Sequence, residues 1–120
     1  MTQKHSLLAQ AVIAAGAIKA DTFVGTDLKT AVAGADVIGV ATFDAAEGEQ
    51  LTVDVLGSTT VRAAADVTAY ARVEVGDDGG VVPADEGIPV GRALHDALEG
   101  ELVEVFLFQG ASAPAEASVD

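Results

Sequence analysis

An internal repeat limits the folds open to this chain more than any other feature of its sequence. Residues 39–49 read GVATFDAAEGE and residues 91–101 read GRALHDALEGE, and seven of the eleven positions are identical at an offset of 52. A repeat of this length usually marks one supersecondary unit that is used twice. Because two copies are too few for a solenoid, we expect a single pseudo-symmetric domain.

The similarity between the two halves extends beyond this motif. Residues 14–24 align with residues 63–73 at an offset of 49, so about three residues are inserted in the second half, in a turn. Apolar and polar residues alternate in three segments, as is typical of half-buried strands: 51–56, 71–75 and 102–108. Glycine-containing turns are expected between the strands, at 25–27, 57–58 and 76–80. The sequence therefore predicts a mainly β fold, a small pseudo-symmetric β-barrel or β-sandwich of two similar halves with short one-turn helical corners.

The repeated corner has a local physical explanation. In the first copy, DAAEG, Asp44 is expected to cap a single helical turn, Glu47 to occupy the third position of a capping box, and Gly48 to end the turn with a positive φ. The second copy, DALEG, repeats the pattern. These carboxylates therefore indicate a structural corner, not a catalytic dyad.

We divide the chain into three segments. Residues 1–12 form an N-terminal arm, residues 13–110 a single β-rich domain, and residues 111–120 a flexible acidic tail with little to bury. The two halves of the domain span about residues 13–57 and 61–110.

The composition excludes several classes of function. The net charge is −13, and the six Lys and Arg residues are scattered, which argues against a nucleic-acid partner. The absence of cysteine excludes disulfides and zinc–thiolate sites. The N-terminal apolar stretch is interrupted by Gln10 and Gly16 and is too short to span a bilayer, so no membrane partner is expected.

No residue pattern indicates catalysis. His95 corresponds to Phe43 in the first copy, which indicates a packing position, and its spacing from His5 does not suit a metal. The GDDGG segment at 76–80 lacks the ligand pattern of a calcium loop and predicts a hairpin turn. We therefore predict that the protein is not an enzyme, with no catalytic, metal-binding or cofactor-binding residues and no cofactor.

Where the two copies differ, the second carries extra apolar residues. Asp54 is replaced by Phe106 and Leu56 by Phe108, so the last strand is apolar on both faces. Either the N-terminal segment or another subunit must then cover Phe106 and Phe108. With His95, they are our candidates for a subunit interface.

The order of these segments resembles the small capsid cement, or head-decoration, proteins of tailed bacteriophages. The resemblance covers about residues 12–110 and is carried by four segments: AAGAIKADTFV, ADVIGVATFDAAEGEQLTVDVLGSTTV, RVEVGDDGGVV and IPVGRALHDALEGELVEVFLF. The chain departs from the family at residues 66–70, where the pattern often carries glycine before the strand.

The resemblance implies a structural function. Such a protein binds the outer surface of the assembled head, bridges neighbouring major capsid proteins and stabilises the expanded shell against the pressure of packaged DNA. Its implied partners are the major capsid protein and copies of itself, as a homotrimer at three-fold or quasi-three-fold positions. Its implied location is the outer surface of the virion capsid, after synthesis in the host cytoplasm. The candidates for contact with the shell lie in the arm: Thr2, Lys4, His5, Leu7 and Leu8.

Two other functions stay open from the residues alone. The chain could be a surface-exposed adhesive or binding module, since the exposed surface of any small β domain can carry a binding site. A lipoyl-type carrier domain is a weaker alternative. Its modified lysine would have to be Lys29, in TDLKT, which lacks the residues expected around such a lysine.

Overall fold

The protein forms a mainly β domain, as the sequence predicts. The computed structural model describes residues 5–109, with side chains from residue 7 onward. It contains eight strands: β1 (His5–Ile13), β2 (Phe23–Gly25), β3 (Val37–Ala41), β4 (Gln50–Arg62), β5 (Arg72–Val75), β6 (Val81–Pro83), β7 (Gly91–Ala93) and β8 (Leu102–Leu107). A short 3-10 turn, Asp77–Gly79, connects β5 to β6 in the predicted hairpin. Within this described part, no helix has the length and apolar character needed to cross a membrane.

The strands form one nearly closed, barrel-shaped antiparallel sheet in the order β2-β3-β4-β8-β7-β5-β6. The barrel closes where β6 meets the end of β4: Ala63 bridges to Val81, and the Ala64 N–H donates to the Val81 carbonyl at 2.8 Å. Strand β1 lies outside this path and pairs with β4. Residues 5–12, which we assign to an arm, are therefore part of a strand, whereas residues 1–4 and 110–120 lie outside the described residues.

Strand β4 belongs to both copies of the repeat. Its thirteen residues pair first with β1 and β3 and then with β8. The turn predicted at residues 57–58 is wrong, because Gly57 and Ser58 lie inside β4. Gly57 adopts a positive φ of 97°, which favours glycine, at the position where the copies join.

The two copies have the same backbone structure. In the first, Ala9 pairs with Asp54 and Ile13 with Gln50. The same pairs recur in the second copy, from Ser58 with Phe106 to Arg62 with Leu102. The repeat thus begins at residue 9 in the first copy and at residue 58 in the second, inside the long strand.

The corners are β-turns and not the helical turns expected from the sequence. In the first corner, the Glu49 N–H donates to the Ala46 carbonyl, and the Ala46 N–H donates to Glu49 Oε1 at 2.8 Å. The side chain that reaches back is therefore that of Glu49, not Glu47. Asp44 does not cap its own turn, because its Oδ1 accepts from the Ala20 N–H, 24 residues earlier. Gly48 has the predicted positive φ, 88°.

The two copies present opposite faces to the barrel interior. In the first copy, Phe23 and Val40 belong to the main core, and the other face of the same strands covers a second, smaller core. Each buried member of the smaller core has its repeat counterpart in the main core, and the pairs are Ala14/Ala63, Ile18/Val67, Val24/Val73, Ala41/Ala93, Ala45/Ala97, Leu51/Val103 and Val53/Val105. Strands β2 and β3 of the first copy are thus buried on both faces, whereas their counterparts β5 and β7 place Arg72 and Arg92 on the outer face.

Candidate binding surface

The exposed face of the second copy carries an apolar side chain at its centre. Phe106, on β8, lies between Ser58 on β4 and Arg92 on β7 and is 47% exposed. Its counterpart in the first copy is Asp54, which is buried and accepts a hydrogen bond from Thr59 Oγ1 at 2.8 Å. The substitution between copies therefore places a large apolar ring on the surface of the protein.

One arginine lies beside this ring and a second lies one strand further away. Arg92 is opposite Phe106 on one side and opposite Arg72 on the other. Its Nη1 donates to the Tyr70 carbonyl at 2.7 Å, and its guanidinium carbon is 6.0 Å from the centre of the Phe108 ring, at the outer limit of a cation–π contact. The face thus combines apolar and cationic groups on a chain whose net charge is −13.

Glu104 is held on the same strand, two residues before Phe106. Its Oε2 accepts from Ser58 Oγ at 2.6 Å, and its N–H donates to His95 Nε2 at 3.1 Å. His95 must then carry its proton on Nδ1, which lies 2.9 Å from the Asp96 carbonyl. Both ring nitrogens of His95 therefore have partners within the fold, which fits the packing position predicted from Phe43.

The candidates at the N-terminus are only partly described. Thr2 and Lys4 lie outside the described residues, and for His5 the structure describes only the backbone, in β1. Leu7 is 79% exposed and Leu8 is 48% exposed. Leu8 lies opposite Leu56 of β4, which is also exposed.

Phe106, Phe108 and Arg92 lie together on the exposed face of the second copy. We call the area that these three side chains form the outer patch. Leu8 and Leu56 form a further exposed pair, before Gly57, whose positive φ interrupts the alternation of β4. The described part of β1 lies beside β4 and not over Phe106, while Phe108 is half-buried.

Arg92 was not predicted from the sequence as a member of the outer patch. The repeat contained the signal for this residue, because Arg92 aligns with Val40 of the first copy. In the same way, Arg72 aligns with Phe23. A change from a buried apolar residue to arginine indicates that the second copy exposes a face that the first copy buries.

The described residues form no group of three or more His, Asp or Glu side chains able to hold a metal ion. In the same part of the chain, every buried side-chain nitrogen or oxygen has a hydrogen-bond partner. The outer patch therefore offers shape, apolar area and positive charge, which are the properties of a protein-binding surface.

Comparisons with known proteins agree with this description. No curated protein is similar enough to count as a relative. The chain is similar to the solved structure of the head fiber gp8.5 N base of bacteriophage phi29, at 24% identity and a TM-score of 0.69. That similarity covers 90% of this chain and 98% of the other, and it shows a shared fold. The family model described as "Phage cement protein" matches residues 2–110 and indicates a structural role in a phage head. The chain thus belongs to the phage cement protein family.

Proposed function

We propose that this protein binds the outer surface of the assembled phage head, bridges neighbouring major capsid proteins and stabilises the expanded shell against the pressure of packaged DNA. The observation that carries the proposal is the family match over residues 2–110, together with an exposed apolar and cationic face on an otherwise acidic domain. The role needs no catalysis, since the protein acts by adding contacts between shell subunits.

The proposal includes self-association as a homotrimer at three-fold or quasi-three-fold positions. Phe106 and Phe108 are the candidates for that interface. The corresponding face of the first copy is buried in the barrel, whereas their face in the second copy is exposed to solvent. His95 supports the interface indirectly, since it fixes the backbone of Glu104. Three linked copies would convert individually weak shell contacts into tight attachment, because later contacts form at a high effective concentration.

The first experiment asks whether the protein recognises the expanded shell. Heads lacking the protein are prepared in unexpanded and expanded forms, mixed with purified protein, and separated by sedimentation. We expect saturable binding to expanded heads and greater resistance of the loaded heads to heat or chelation. Equal binding to both forms, or to neither, would contradict the proposal.

A matched pair of variants tests the role of the outer patch. Phe106 and Phe43 are each 47% exposed, but Phe43 lies at the corner of the first copy, away from the patch. We expect Phe106→Asp to weaken trimer formation about tenfold or more, because a charge at the centre of an interface cannot be desolvated cheaply. Phe43→Asp should leave association unchanged. Analytical ultracentrifugation of both variants, with thermal melting to confirm folding, makes the comparison, and equal behaviour of the two would remove Phe106 from the interface.

A further inference from the structure

Strand β1 leaves one edge open in the described chain. Ser58 of β4 pairs with His5 on one side and with Phe106 on the other, so β1 and β8 flank β4 on opposite sides. Strand β1 pairs with β4 alone, and residues 7–11 are all exposed. The backbone on the far side of β1 is therefore available for pairing.

The direction of the backbone groups identifies which residues lie on this free edge. The Ala14 N–H donates to the Glu49 carbonyl at 2.9 Å, and the Ala14 carbonyl accepts from the Gly48 N–H at 2.8 Å. Residue 14 thus faces the end of β4, and the alternation of an antiparallel strand directs the N–H groups of Ala11 and Ile13 away from it.

In the second copy, the corresponding edge is hydrogen-bonded to another segment of the chain. Arg62, the counterpart of Ile13, donates its N–H to the Asp21 carbonyl at 3.0 Å. Thr60, the counterpart of Ala11, donates from Oγ1 to Asp21 Oδ1 at 2.9 Å. Asp21 of the first copy thus hydrogen-bonds to the second copy. In the first copy, the described chain hydrogen-bonds only the next outward N–H after β1, that of Ala15, to the Leu28 carbonyl at 2.8 Å.

Strand β1 also lacks most of the features that normally protect an edge. Soluble proteins place charges, prolines, bulges or very short strands there to prevent unwanted pairing. The nine residues of β1, HSLLAQAVI, contain no Lys, Arg, Asp, Glu or Pro, although the strand has irregular register near Leu8. A long and uncharged open edge is a template for strand addition.

The distribution of charge indicates what kind of segment fits this edge. Residues 1–20 contain Lys4 and Lys19 and no acidic residue, whereas all 19 acidic residues lie at or beyond Asp21. In the fold, Asp44 and Glu49 lie beside residues 20 and 14, but β1 itself carries no carboxylate. Strand β1 therefore repels an acidic partner less than the rest of this acidic chain does.

We propose that the free edge of β1 binds an extended, carboxylate-bearing segment of the major capsid protein, which adds to the sheet as a further strand. This inference rests on the proposed function. A second copy is the poorer occupant, because pairing β1 with β1 would join two chains that each carry a net charge of −13.

The test compares two substitutions at one position. Ala11→Pro removes the outward N–H without removing a hydrogen bond to β4, as proline is tolerated on edge strands. Ala11→Thr keeps that N–H and introduces the residue that the second copy has at Thr60. We expect Ala11→Pro to bind expanded heads about tenfold or more weakly and Ala11→Thr to bind like the wild type. Equal binding of the proline variant, with an unchanged melting temperature, would overturn the inference.

Two further measurements apply even if the proline variant fails to fold. Hydrogen exchange of the wild-type protein should slow in residues 5–13 when it is bound to heads, and unchanged exchange there overturns the inference. Ala9→Glu should weaken head binding more than Ala9→Lys, and the reverse order contradicts an acidic partner. If the free protein sediments as a β1-dependent dimer, the second copy is the occupant instead. If the wild type fails to bind heads at all, the proposed function falls first and this inference with it.

Discussion

The two copies of the repeat have the same backbone but opposite surroundings. Phe23 and Val40 of the first copy point into the barrel, whereas their counterparts Arg72 and Arg92 lie on the outer surface. The residues that are identical between copies make turns and close strand contacts, and the residues that differ decide which face is buried. A duplicated backbone can therefore serve two environments when only one face of it changes.

The largest expected effect is a loss of stability when the residues at two equivalent positions of the repeat, 40 and 92, are exchanged. Val40→Arg places an uncompensated charge in the barrel interior, which costs about 3–5 kcal/mol or more from a total stability of about 5–15 kcal/mol. The reverse change, Arg92→Val, alters only the surface and should shift stability by about 1 kcal/mol or less. Urea unfolding of both variants measures the contrast, and similar losses would show that the two faces are not inverted.

A smaller effect is expected at the glycine that the two copies share. A Cβ on Gly39 would lie 2.1 Å from the Asp54 carbonyl oxygen, and a Cβ on Gly91 would lie 2.6 Å from that of Phe106. Because backbone cannot yield cheaply, Gly39→Ala and Gly91→Ala should each destabilise the protein by about 1–3 kcal/mol. The closer contact and burial on both faces make Gly39→Ala the more damaging. Thermal melting compares them, and a tolerated Gly39→Ala would contradict the close approach of β3 to β4.

The smallest effect is expected where the copies are most alike. Asp44 accepts from the Ala20 N–H and Asp96 from the Ala69 N–H, each at 2.8 Å in an exposed corner. Asp44→Ala and Asp96→Ala should each cost about 0.5–1.5 kcal/mol, the usual net value of one hydrogen bond. The losses should add in the double variant, because distant sites act independently. Clearly unequal or non-additive losses in denaturant titrations would show that the corners are not equivalent.

Much of the fold could be predicted because its signals are local or repeated. The alternation in the strands and the identity of the two corners gave the β class and the two halves, and the family match confirms the resemblance. The predicted turn at Gly57 was wrong because a glycine can also mark a positive φ within a strand. The corners were taken for helical turns because the partner of Asp44, the Ala20 N–H, is distant in sequence.

The surface was harder to predict, because it depends on which strands become neighbours. Comparing the copies identified Phe106, but Arg92 joins it only through the pairing of β7 with β8. Glu74 illustrates the same limit. It alternates with buried valines as a surface residue would, yet it is buried and accepts hydrogen bonds from the N–H groups of Asp85 and Gly87. No local pattern specifies that the loop after β6 folds back over it.

The continuous strand β4 has a mechanical consequence. Because β1 pairs along its first part and β8 along its last, tension applied to β1 passes into β8 through a single uninterrupted backbone. A force along these strands acts perpendicular to the hydrogen bonds between them and loads all the bonds of a ladder at once. The bonds therefore do not break one after another from one end. Gly57, where the two copies join, lets β4 change direction while its backbone stays continuous. The domain would then resist a stretching force as a single unit.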